Sequence, residues 1–132
     1  MNELDPFAAR GSGPPSAKFS DPGDFVAGTI VKVEYREDTD QATGKVKTFA
    51  DGSPRPVVVV YLLNTDGEEV RDFVKGRSVT VFRQVVWAVE GEGQGPKPGA
   101  DYKRTFTGLR GSGPEKQYEI DYSNAQDTRE LI

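Results

Sequence analysis

Asn64-Thr65-Asp66-Gly67 stands between a β-branched run, Val57 to Leu63, and an alternating run, Glu68 to Lys75. This is the sequence of a hairpin whose type I turn ends in a glycine at positive φ. The turn fixes the register. With Thr65, Asp66 and Gly67 as the loop, Asn64 pairs with Glu68, Tyr61 with Arg71, Val59 with Phe73 and Val57 with Lys75. One face of the ribbon then carries Val58, Val60, Leu62, Val70 and Val74, a set fit for a core. The other carries Tyr61, Arg71, Phe73 and Lys75, rings interleaved with cations at period two, which is how a stacking platform for unpaired bases is built. A purely structural reading stands beside it, since Tyr and Phe favour strands and Arg and Lys protect exposed sheet surface.

The rest of the chain supplies partners for this ribbon. Residues 1–24 hold only Leu4, Phe7 and Phe19 as large apolar groups among several Gly and Pro, and read as a flexible arm that lies along the domain or a partner. Residues 25–36 form strand 1, in which Val31, Val33 and Tyr35 alternate with Lys32 and Glu34 and in which Gly28 marks a bend or bulge. Residues 37–45 make a loop. Strand 2 is broken by Asp51-Gly52-Ser53-Pro54-Arg55-Pro56, because two prolines cannot sit in a central ladder. Arg55, fixed between them, is placed to offer its guanidinium to a phosphate.

In residues 77–90, Val79, Phe82, Val86 and Val89 recur at helical spacing before the Gly91-Glu92-Gly93 stop, and Trp87 lies one side chain off that stripe. Strands 4 and 5 follow at 102–107 and 117–122, the last with Tyr118, Ile120 and Tyr122 on one face. The order β-β-β-α-β-β predicts an all-β domain with one helix, a five-stranded OB-fold barrel over residues 25–122. Its ligand face is strands 2 and 3, flanked by the loops joining strands 1 to 2 and 4 to 5. Residues 123–132 read as a flexible, weakly acidic tail.

Composition narrows the chemistry. The 132 residues contain no Cys and no His, which removes thiol chemistry, thiolate metal sites and the commonest general base. Neither a catalytic centre nor a metal or cofactor is expected. Asp38, Asp40 and Asp51 lie in loops and do not make the converging carboxylates of a metal-dependent nuclease. No run reaches a membrane span and MNELDPFAAR is not a signal peptide, so a cytoplasmic protein is expected. The net charge of −4 is unevenly spread: residues 45–118 hold 12 basic and 9 acidic side chains, whereas residues 1–44 hold 4 and 8 and residues 119–132 hold 1 and 4. A basic centre between acidic ends suits a phosphate-binding body.

Asp51-Gly52-Ser53-Pro54-Arg55, Val74-Lys75-Gly76, Thr105-Phe106-Thr107-Gly108 and Pro114-Glu115-Lys116-Gln117-Tyr118 leading to Tyr122 resemble small single-stranded-DNA-binding proteins of actinobacterial phages. The resemblance covers residues 17–122. It implies an OB fold, no catalysis, and protection of unpaired DNA during phage replication or recombination in the host cytoplasm. A homo-oligomer is compatible with that role, and the tail is a candidate handle for other replication proteins. The candidate nucleic-acid contacts are Tyr61 and Phe73 for stacking, with Arg71, Lys75, Arg55, Lys47, Arg110 and Lys116 for phosphates. The rival reading is a protein-interaction or virion-assembly module on the same barrel.

Overall fold

A computed structural model describes residues 14–40, 42–111 and 113–124. Five strands, β1 (Phe25–Glu37), β2 (Pro56–Leu63), β3 (Glu69–Lys75), β4 (Asp101–Leu109) and β5 (Lys116–Ser123), form one antiparallel sheet in the order β3-β2-β1-β4-β5. Helix α1 (Arg77–Glu90), the one helix among the described residues, lies between β3 and β4 in sequence and packs chiefly on β5. The element order is the expected β-β-β-α-β-β.

The hairpin register is the expected one. Val57 pairs with Lys75, Val59 with Phe73 and Tyr61 with Arg71. Asn64 builds the turn: its side-chain oxygen accepts the N–H groups of Asp66 (3.0 Å) and Glu68 (2.9 Å), and Gly67 takes φ +81°. The inward face is also as read, since Val58, Val60, Leu62 and Val74 are buried and Val70 packs against them. The core is completed by Ile30, Phe82, Val86, Tyr102, Phe106, Ile120 and Tyr122. Each such side chain contributes about 1.5 to 3 kcal/mol through burial. Trp87 is half-buried, with the Arg83 guanidinium 5.5 Å from its ring centroid.

Gly28 does not mark the bulge. The register of β1 on β2 shifts between Ile30 and Lys32 instead. What Gly28 provides is close approach, because a Cβ there would stand 2.6 Å from the Leu63 carbonyl oxygen.

The sheet is not closed into a barrel: β3 and β5 are its two edges. Side chains fill the space between them. Asp72, on the inward face of β3 and fully buried, receives the Arg104 guanidinium at 2.6 and 2.9 Å and the Tyr102 hydroxyl at 2.6 Å. Arg104 also lies over the rings of Phe19 (4.6 Å) and Tyr118 (4.2 Å). The free edge of β3 is taken by the chain's own beginning: Arg71 donates its N–H to the Pro15 carbonyl (2.8 Å) and Ala17 donates to the Arg71 carbonyl (2.7 Å).

Residues 14–24 of the expected arm lie along the domain. Phe19 is buried in the core, and Asp24 holds the turn at 20–24 by accepting the N–H groups of Ser20 and Asp21. One aromatic ring and a set of backbone bonds hold this segment there. Residues 1–13 of that arm lie outside the described residues. At the other end Ser123 closes β5 and Asn124 donates to Glu90 (2.6 Å), while residues 125–132 of the expected tail lie outside the described residues.

Candidate nucleic-acid interface

On the outward face, alternation places Val57, Val59 and Tyr61 of β2 between two flanking rows. Arg71, Phe73 and Lys75 of β3 lie on one side, and Lys32, Glu34 and Arg36 of β1 on the other, opposite Tyr61, Val59 and Val57 respectively. Four cations, one carboxylate and two rings thus share a three-strand face. Lys32 and Arg36 were not among the sequence candidates. Their signal is the alternation of β1, but the bulge after Ile30 hides which of its residues turn outward.

The rings are not bare. Tyr61 is only 9% exposed and forms a small outer cluster with Val57 and Val59, against which Phe73 packs. Lys32 Nζ lies 4.6 Å from the Tyr61 centroid, and the guanidiniums of Arg36 and Arg71 lie 5.9 and 5.4 Å from that of Phe73. The Tyr61 hydroxyl donates to Glu34 (2.8 Å), which also accepts from Arg36 (2.6 Å). Tyr61's bond first and Arg36's second hold the Glu34 carboxyl down at about 2. Tyr61 is accordingly the floor of this face, and half-buried Phe73 is the ring that reaches its surface. The guanidiniums of Arg36 and Arg71 lie over Phe73, so a ring stacked there would have to displace one of them.

The 38–55 excursion between β1 and β2 folds back on itself through bridges Thr39–Val46 and Thr48–Pro54. Arg55 is fixed on it by its N–H to the Lys47 carbonyl (2.9 Å), and its guanidinium lies 5.3 Å from the centroid of half-exposed Phe49. Asp38 stands between Lys47 Nζ (3.9 Å) and Lys75 Nζ (3.6 Å), linking the excursion to β3.

A groove of about 310 Å³ brings Arg55 and Lys75 together with Lys116 at the start of β5 and Arg77 at the start of α1. Arg110 is exposed on the β4–β5 turn, with its N–H on the Glu115 carbonyl (2.7 Å), and does not line that groove. Of the eight sequence candidates, Tyr61, Arg71, Phe73 and Lys75 share the sheet face. Lys75 continues into the groove with Arg55 and Lys116, Lys47 joins through Asp38, and Arg110 stands apart.

No protein-family model, curated protein or solved structure matches the chain. The case for function rests on this geometry.

Proposed function

We propose that the chain is a non-enzymatic binder of single-stranded nucleic acid, DNA first, with little sequence preference. The observation that carries this is the outward face of β1–β2–β3, where Lys32, Arg36, Arg71 and Lys75 ring a floor of Tyr61 and Phe73. Cations with interleaved rings answer the two parts of an unpaired strand. Phosphates take the cations at a cost that rises with salt, and bases take the ring faces whatever their identity.

We read the sheet order β3-β2-β1-β4-β5 as an OB barrel opened between β3 and β5, which supports placing the ligand on this face. The phage resemblance extends the proposal to protection of unpaired DNA during replication or recombination in the host cytoplasm. There residues 123–132 recruit other replication proteins. A second reading, a protein-interaction or virion-assembly module, is favoured by an apolar groove of about 240 Å³ where exposed Tyr35 meets Trp87, Phe82 and Pro96.

Titration with labelled oligo-dT, duplex DNA and RNA at two salt concentrations tests the proposal. Oligo-dT binding that exceeds duplex binding and falls steeply with salt is expected. Equal affinity for duplex and single strand would remove the stacking mechanism, and salt-independent binding would favour the protein-interaction reading.

A further inference from the structure

We propose that the groove at the N-terminus of α1 binds a phosphomonoester dianion: the terminal phosphate of a nucleic-acid strand, or a free nucleoside monophosphate. The strand-end form rests on the binding reading above, and the free form does not.

The helix opens only partly satisfied. The Val79 N–H reaches the Gly76 carbonyl (3.1 Å), but among the described residues no side chain caps the first turn and no carboxylate stands in it, so the N–H groups of Arg77 and Ser78 are left to an outside acceptor. Gly76, at φ +59°, turns the chain into the helix through a backbone conformation that side chains rarely adopt. Such an end favours an anion. Ser78 supplies an independent pointer. It lines the groove, is only 8% exposed, and its hydroxyl has no hydrogen-bond partner among the described residues. A buried hydroxyl in that state is destabilising unless something completes it.

Charge selects the ligand. The groove is lined by Arg55, Lys75, Arg77 and Lys116 against Asp38 and Glu115, a formal excess of two positive charges. A phosphodiester brings one negative charge, and a phosphomonoester brings about 1.5 to 2 at neutral pH. The carboxylates orient the cations without saturating them: Glu115 holds Arg77 by Nε at 3.0 Å and leaves its two other nitrogens, and Asp38 holds Lys75 at 3.6 Å. Phe49, 44% exposed on the groove wall, is a ring on which the nucleoside carrying that phosphate stacks.

The test uses the full chain, isotope-labelled for amide NMR, and hydroxyl-ended or phosphate-ended oligo-dT of one length. Inorganic phosphate at low salt is expected to shift the Arg77 and Ser78 amides saturably, where chloride at equal ionic strength does not. Oligo-dT with a terminal phosphate should bind roughly tenfold tighter than its hydroxyl-ended twin, the equivalent of one charge-assisted hydrogen bond. Ser78→Ala removes a buried hydroxyl that has no partner among the described residues, so it should melt at or above the parent, and Arg77→Ala removes an exposed side chain, so it should melt close to the parent. Both should erase the end preference while hydroxyl-ended affinity stays within about twofold.

Thymidine monophosphate shifting the same amides without any strand-end preference identifies the free source and still supports the site. Phosphate shifts with no oligonucleotide binding uphold the site and overturn the nucleic-acid reading. Binding of phosphate-ended oligo-dT without amide shifts at Arg77 and Ser78 does the reverse. Equal affinity for the two oligomers, both weakened by Ser78→Ala, means an internal phosphodiester and overturns the proposal.

Discussion

Replacing Asp72 by Ala removes the acceptor of three short bonds, two from Arg104 and one from Tyr102, in a site where Asp72 is fully buried and Arg104 is 5% exposed. Solvent cannot take the place of the carboxylate. Among the described residues the guanidinium keeps only its bond to the Phe73 carbonyl (3.2 Å) and its contacts with the faces of Phe19 and Tyr118. Breaking one side of such a pair costs about 3 to 5 kcal/mol, against a typical total stability of roughly 5 to 15. The melting temperature should fall by roughly 10 to 15 °C, measured by circular dichroism with urea titration as the equilibrium check. The companion Asp72→Leu/Tyr102→Phe/Arg104→Met, which removes both charges and the hydroxyl they would leave unpaired, should return to within about 1 kcal/mol of the parent or exceed it. An Asp72→Ala cost below about 1 kcal/mol would refute the reasoning, because it would mean that water reaches the pair and the space between β3 and β5 is open.

Phe73→Ala should weaken oligo-dT binding by about 1 to 3 kcal/mol and, because the ring also covers Val57 and Val59, lower the melting temperature modestly; Val74→Ala should cost a similar stability with binding unchanged. Glu34 is held near pH 2 where an ordinary Glu titrates at 4.5, so its contribution is present above pH 4.5 and is lost as pH falls toward 2; melts across that window should be flatter in Glu34→Gln. Burial first, then the charge of Asp72, raises the Tyr102 hydroxyl well above its ordinary 10, so its contribution holds below pH 10 and drains away above it; absorbance titration should show this phenol ionising only with unfolding. Gly28→Ala should cost about 1 to 3 kcal/mol in a urea titration, since the new methyl meets backbone on β2 rather than a side chain that can turn away.

The hairpin was legible because period-two alternation and a turn with one conformational solution leave a single register, and α1 was legible because its apolar stripe runs into glycines. Asp72 was harder. The same register that puts Val58, Val60 and Val74 inside puts Asp72 inside with them. An acid at a core position calls for a buried cation, and the alternation of Tyr102, Arg104 and Phe106 offers one, but the pairing becomes evident only once β4 is known to face β3. The seating of residues 14–24 rests on Phe19 and on backbone bonds to Arg71, and backbone bonds leave no mark in a Gly- and Pro-rich sequence. The covering of Tyr61 could not be read from β2 and β3, since the side chains over it come from β1 across a bulge.

The groove at α1 joins residues from three separate stretches, Arg55, Lys75 to Ser78, and Glu115 with Lys116, and no local spacing announces it.

Amide NMR of the full chain titrated with short oligo-dT at low salt tests the central claim most directly. The account predicts shifts concentrated at Lys32, Glu34, Arg36, Tyr61 and Arg71 to Lys75, fading together as salt is raised. Shifts confined to Tyr35, Arg83, Trp87 and the 93–96 loop, with the β1–β2–β3 face silent, would contradict it.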